Sequence, residues 1–152
     1  VEDLVQWLGE QLDEDERIAR EAASKAAAEY AAADRRANTF EPPYDGTHWT
    51  NDYDHVFVLD PRPGRTRKVL IADCGDGAFG LTPHIARHDP SHVLREIDAK
   101  RRILAEVYPE VAKAEEMIQD EWHSGGDTDG DLLRLLALPY VNRPGYREEW
   151  RP

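Results

Sequence analysis

Apolar residues recur every three to four positions through the first quarter of the chain. Leu4, Val5, Leu8 and Leu12 are followed by Ile18, Ala22, Ala26 and Tyr30. That spacing draws one stripe along a single long helix, from residue 3 to about 36. Ala22 to Ala33 is mostly alanine, the best helix former, and a face of small residues lets another helix approach closely. Acids near the start, and Arg35 and Arg36 near the end, complement the helix dipole.

The period then changes. Asn38, Pro42, Pro43 and Asp45-Gly46 are turn residues. Val56-Phe57-Val58-Leu59 and Lys68-Val69-Leu70-Ile71-Ala72 are β-type runs on either side of Pro61-Arg62-Pro63-Gly64, the pattern of a hairpin. With Thr47-His48-Trp49-Thr50 they predict a small two- or three-stranded antiparallel sheet. Helical spacing returns over 82–122. Thr82 is placed to cap a short helix through Arg87, with Pro83 at its first position. His88-Asp89 before Pro90 makes a corner. A long helix follows with Val93, Ile97, Leu104, Val107, Val111, Ile118 and Trp122 on one face, kinked or divided near Tyr108 by Pro109. Residues 124–130 (Ser-Gly-Gly-Asp-Thr-Asp-Gly) form a flexible loop. Asp129 or Asp131 then caps an apolar helix from Leu132 to Leu138, ended by Pro139. The fold class is therefore α+β and mostly helical: a long N-terminal helix, a small sheet, a short helix, a long kinked helix and a C-terminal helix.

Composition narrows the setting. A length of 152 residues suits a single domain, 1–152, with a core that buries roughly 68–70% of the unfolded surface. The lone cysteine, Cys74, allows no internal disulfide. That fits a reducing compartment, so we expect a cytoplasmic protein. No apolar run approaches the roughly 20 residues of a membrane span, and Val1-Glu2-Asp3 lacks the basic start of a signal peptide. Arginine well in excess of lysine, with abundant alanine, fits a high-GC genome such as that of an actinobacterium or its phage. The net charge of −12 repels phosphate and argues against direct nucleic-acid binding. Arg62, Arg65, Arg67 and Lys68, and Lys100 to Arg102, are basic segments too short to reverse it. The acidity serves solubility first; it also suits a basic protein partner.

Four features of the sequence could carry chemistry. Gly75-Asp76-Gly77-Ala78-Phe79-Gly80 matches a dinucleotide glycine motif by letter, but it follows a hairpin, no later parallel strand completes a βαβ unit, and Asp76 repels phosphate. Asp127-Thr128-Asp129-Gly130-Asp131 clusters carboxylates, yet its glycine comes too early for a calcium loop and Leu138 stands at the twelfth position. Cys74 lies between Asp73 and Asp76, where its thiol gains no activation. His84 and His88 stand four apart, so both imidazoles share one helix face and suit a divalent transition metal, with His92 or Asp89 adding a ligand. Against this, Asp89 is wanted as a helix cap, Ile85 stands where a metalloprotease helix carries glutamate, and histidines at a helix start commonly just pack.

Two blocks carry a resemblance. One is His84-Ile85-Ala86-Arg87-His88-Asp89-Pro90, running on through Val93-Leu94-Arg95-Glu96 and Ala99-Lys100-Arg101-Arg102-Ile103. The other is Leu133-Arg134-Leu135-Leu136-Ala137-Leu138-Pro139-Tyr140 with Pro144-Gly145-Tyr146-Arg147-Glu148-Glu149-Trp150. Both resemble the small actinobacterial and actinophage proteins of domain-of-unknown-function family 6221, as do Leu4-Val5 and Asp13-Glu14-Asp15-Glu16. Where members of that family often carry histidine before the C-terminal proline, this chain has Asn142-Arg143-Pro144. The resemblance implies a host and no reaction.

The sequence thus leads to a non-enzymatic binding or accessory protein, with no cofactor, no membrane and no direct nucleic-acid contact. Tyr146 and Trp150, four apart, are candidate interface residues, although such aromatics also serve a core. Amphipathic helices on so small a sheet leave room for a homodimer. The alternative is a metal-binding protein or metal-dependent enzyme using His84, His88 and His92.

Overall fold

A computed structural model describes residues 2–38, 44–77, 80–122 and 126–152. The expected turn at Pro42-Pro43, Ala78-Phe79 of the glycine motif and Ser124-Gly125 of the loop lie outside the described residues. The chain runs α1 (Glu2–Ala37), β1 (Trp49–Asp52), β2 (His55–Leu59), β3 (Lys68–Asp73), α2 (Thr82–Arg87), α3 (Pro90–Arg102), a π turn (Ile103–Val107), α4 (Tyr108–Trp122) and α5 (Thr128–Ala137), then 3-10 turns at Leu138–Tyr140 and Glu148–Trp150. This is the α+β, mostly helical architecture expected, with all three strands present in the order β1-β2-β3.

Two compact units are formed, residues 16–95 and residues 1–15 with 96–152. In the first, β1, β2 and β3 pair antiparallel, with a bulge in the β2–β3 register at Val56/Phe57. Alternation along β2 buries Val56 and Val58 and leaves His55, Phe57 and Leu59 partly exposed, as a sheet with one packed face demands. Val58 and Val69 pack with Ala26 and Tyr30 of α1, flanked by Ala33, Tyr44, Trp49 and Ile71. The alanines allow a very close approach: a Cβ on Gly46 would sit 2.2 Å from the Ala23 carbonyl oxygen and 2.5 Å from the Ala27 nitrogen, and its φ of +74° is itself one that glycine favours.

In the second unit, Leu4, Trp7, Leu8 and Leu12 of α1 are buried, as are Leu133, Ala137, Tyr140 and Trp150. Trp7 gathers three rings about it: Tyr140 at 6.3 Å, Tyr146 at 5.7 Å and Trp150 at 5.2 Å between centroids. Its indole N–H donates to the Pro144 carbonyl at 3.2 Å. Arg143 extends over the Tyr140 ring and pairs with Asp15. Burial, with Asp15 next, pushes the Tyr140 phenol up to about 12.

Several local expectations are corrected. Thr82 does not cap α2; Leu81 precedes the helix, and Thr82 is its fully buried first residue, its hydroxyl donating to the Tyr53 carbonyl at 2.5 Å. A distant acceptor wins over the local one because the side chain faces the interior. Asp89 does cap α3, accepting from the His92 amide at 2.7 Å, and its other oxygen accepts from the Trp49 amide at 3.1 Å. Neither Asp129 nor Asp131 caps α5; both lie inside it. Asp127 precedes the helix without a side-chain cap, and Glu115 of α4 accepts from the amides of Thr128 and Asp129, each at 3.0 Å. Those two bonds hold the Glu115 carboxyl below its usual range. Pro109 does divide the long helix, in the first turn of α4 just after the π turn. Its consequence is larger than a kink. The expected single face does not persist: Ile97 is buried, whereas Val107 and Ile118 are exposed. Ile18, placed on the α1 stripe, is exposed as well.

Candidate functional site

A concavity among the described residues lies within the unit of residues 16–95. A groove of about 470 Å³ runs beside α1, lined by Ala22, Lys25, Ala26, Ala28 and Glu29, with Trp49, Val56, Ile71 and Ala72 from the sheet and Ile85 from α2. Its origin is readable in the side chains. Alanines on α1 let the loop at Gly46 approach the helix closely and supply too little volume to fill the space beside it. The β3 bulge sets Ile71 out of pair, since Val56 opposes Ala72 and Phe57 opposes Leu70. The size falls within the range of ligand pockets, and the lining is apolar with few polar groups, as such pockets are.

Trp49 and the loops beside the sheet are well anchored. The Trp49 indole N–H donates to the Gly46 carbonyl at 2.9 Å, while its backbone is tied to Asp89. Tyr44 accepts from the His48 amide at 2.8 Å and its hydroxyl meets His48 Nδ1 at 3.0 Å. Burial raises the Tyr44 phenol above its ordinary value. Asp60, almost fully buried, is gripped by the Arg62 guanidinium, which holds its carboxyl below the usual range. At the rim Lys25 pairs with Glu21 at 3.2 Å, which with Arg17 lowers the Glu21 carboxyl. Ile85 is 36% exposed and Leu81, one turn earlier, 64% exposed, so the apolar lining continues onto the α2 surface.

The histidines sit at the corner between α2 and α3. His84 and His88 are exposed, their ring centroids 4.3 Å apart. His88 Nδ1 lies 2.9 Å from the His84 carbonyl oxygen. The His92 ring, on α3, stands edge-on 5.4 Å from His88. The pair is brought together on one face, but the three do not offer ligand nitrogens all within 4.8 Å of one another.

The remaining features resolve as local structure. Gly75 and Gly77 have φ of +79° and +90° and follow an antiparallel strand, so the glycine motif has no βαβ setting. Asp127 pairs with Arg134 at 2.6 Å, and the acids of that loop serve the start of α5. Tyr146 and Trp150 pack edge to face, 5.9 Å between centroids. Trp150 is buried, and the Tyr146 hydroxyl is buried with no hydrogen-bond partner among the described residues.

Sequence reasoning missed Trp7, Trp49 and the groove. Trp7 fell off the leucine spacing, and the groove depends on which sheet residues α1 covers, which no local pattern encodes.

The chain belongs to a family of unknown function, DUF6221, whose model matches residues 1–152. No curated protein and no solved structure matches it. Among the described residues no helix is long and apolar enough to cross a membrane.

Proposed function

We propose that this DUF6221 protein is a non-enzymatic binding protein, and that the groove beside α1 seats an apolar anchor presented by a basic protein partner. The observation that carries the reading is the space left by Ala22, Ala26 and Ala28 against the sheet. A concave apolar site is where an interface concentrates its anchoring residues. The exposed Leu81 and Ile85 extend the apolar surface past what a small molecule would cover, which favours a protein segment. The net charge of −12 steers basic partners toward this surface and discourages acidic ones. In an actinobacterium or its phage, the source that composition suggests, such a partner is a protein of the same cytoplasm.

The test uses a short amphipathic Leu/Lys helical peptide and its Leu/Glu counterpart, read through Trp49 emission with Trp49→Phe as the assignment control. The Lys peptide should bind, and Ala22→Leu or Ile85→Glu should weaken it at least about tenfold, roughly 1.4 kcal/mol. Equal binding of both peptides, or binding indifferent to both substitutions, refutes the reading.

A second reading rests on the 4.3 Å approach of the His84 and His88 rings: a divalent transition metal held on that face, with His92 as a further ligand, in a metal-binding protein or metal-dependent enzyme. Zinc should then stabilise the protein, and His84→Ala with His88→Ala should abolish the effect. Metal-free protein whose melting ignores zinc rules it out.

A further inference from the structure

A separate set of metal-ligating groups meets at the other end of the hairpins, where the sequence singled out no histidine. His55 opens β2 and Asp73 closes β3, and the antiparallel register sets them directly opposite one another. Asp54 lies in the two-residue turn between β1 and β2, and its carboxylate reaches His55 Nδ1 at 2.8 Å. One ligand atom from each of Asp54, His55 and Asp73 lies within 4.8 Å of the other two. Among the described residues this is the only such group of three.

We propose that Asp54, His55 and Asp73 form a binding site for a divalent first-row transition ion such as zinc or manganese. Two carboxylates and one imidazole are donors such ions accept, and two negative charges balance the ion's two positive ones. Bonds of about 2.0–2.2 Å to a shared ion require the ligand atoms to draw together only modestly. The backbone is set for this. The Cys74 amide donates to the Asp54 carbonyl at 2.8 Å, closing the turn against the end of β3. The Gly75 amide donates to Asp73 Oδ1 at 2.9 Å, which orients that carboxylate as an outer hydrogen bond orients a metal ligand. Tyr53, the other turn residue, has a φ of +50° and is pinned through its carbonyl by the buried Thr82 hydroxyl. Three protein ligands at a surface leave coordination positions for water or for a ligand atom from another molecule. An ion-free role for the same residues is a His55–Asp54 hydrogen bond at an exposed turn, and the experiment separates the two.

Zinc and manganese are titrated into the full chain in a Cys74→Ser background, which removes the thiol as a competing ligand. Affinity and stoichiometry are compared in His55→Ala, in Asp73→Asn and in His84→Ala/His88→Ala. The expected result is one ion per chain, lost or weakened at least about tenfold by His55→Ala and by Asp73→Asn, and kept by the α2 variant. In the unsubstituted protein, which needs no variant to fold, manganese should broaden the His55 ring resonances before those of His84 or His88. Binding lost only in the α2 variant overturns this site and supports the histidine pair on α2. Binding that is absent throughout, or indifferent to His55 and Asp73, overturns it outright.

Discussion

The two halves of α1 do opposite things with one helix. From Leu4 to Leu12 it presents large side chains and buries them, and Trp7 sits inside a ring of Tyr140, Tyr146 and Trp150. From Ala22 to Ala33 it presents mostly methyl groups, with Tyr30 the large side chain it buries there. Close contact there is made by backbone, with Gly46 against Ala23 and Ala27, and a groove stays open alongside. One helix thus supplies one region whose stability rests on filled volume and another where volume is withheld. Interiors are packed near crystal density, and the groove beside the alanines, open at the surface, is where that packing stops.

The strongest way to break this comparison is to empty the filled half. Trp7→Ala should cost about 3–5 kcal/mol, as large aromatic truncations in cores do, measured by urea unfolding. A loss under about 1 kcal/mol would show that the aromatic cluster is surface decoration. Gly46→Ala attacks the other half through its backbone contact. The new Cβ would meet the Ala23 carbonyl and the φ would be strained, so about 3 kcal/mol of destabilisation is expected from overpacking and backbone strain together; a melting temperature within a degree of the parent would refute the close approach.

Acid should expose a subtler dependence. The Glu115 carboxyl is depressed because it accepts the first amides of α5. A depressed folded-state value means the stabilisation is complete above the ordinary glutamate range and is lost as pH falls through that lower value. Thermal melts across acidic pH should show this loss, and Glu115→Gln should flatten it; identical profiles for the two proteins would remove Glu115 as the cap. Tyr146→Phe deletes a hydroxyl buried without a partner among the described residues and should be neutral or stabilise by up to about 1 kcal/mol. Ala22→Leu is the smallest effect in stability. Its added atoms enter the groove, and a change within about 0.5 kcal/mol by chemical denaturation is expected. A cost of 2 kcal/mol would mean the groove is too narrow to accept an anchor.

Much of the architecture was legible because it follows from short-range rules. Four-residue leucine spacing drew the start of α1, a Pro/Gly turn between β runs drew the β2–β3 hairpin, and Asp89-Pro90 drew the corner where Asp89 does cap α3. What escaped depends on partners far apart in sequence. Thr82 reads as a cap until the Tyr53 carbonyl, 29 residues away, takes its hydroxyl. Glu115 reads as one more surface acid until α5 folds back onto it, 13 residues later. His55 and Asp73 carry no motif, since only the β2–β3 register sets them opposite. The approach of the His84 and His88 rings was legible from their four-residue spacing, although His88 stands at the C-cap, just past the end of α2.

The π turn at Ile103–Val107 carries a consequence for how this chain tolerates insertion and deletion. A π turn holds one residue more than the α turn it replaces, so it absorbs an extra residue between α3 and α4. Each residue of α-helix advances the azimuth by about 100°. Deleting that extra residue would let the segment rewind as ordinary helix with α3 and α4 keeping nearly the same relative azimuth, whereas inserting a further residue would turn α4 and α5 together relative to α3 and draw Tyr140 away from Lys100. That turn is therefore stored slack in the helix: losing one residue there should be tolerated, and gaining one should not.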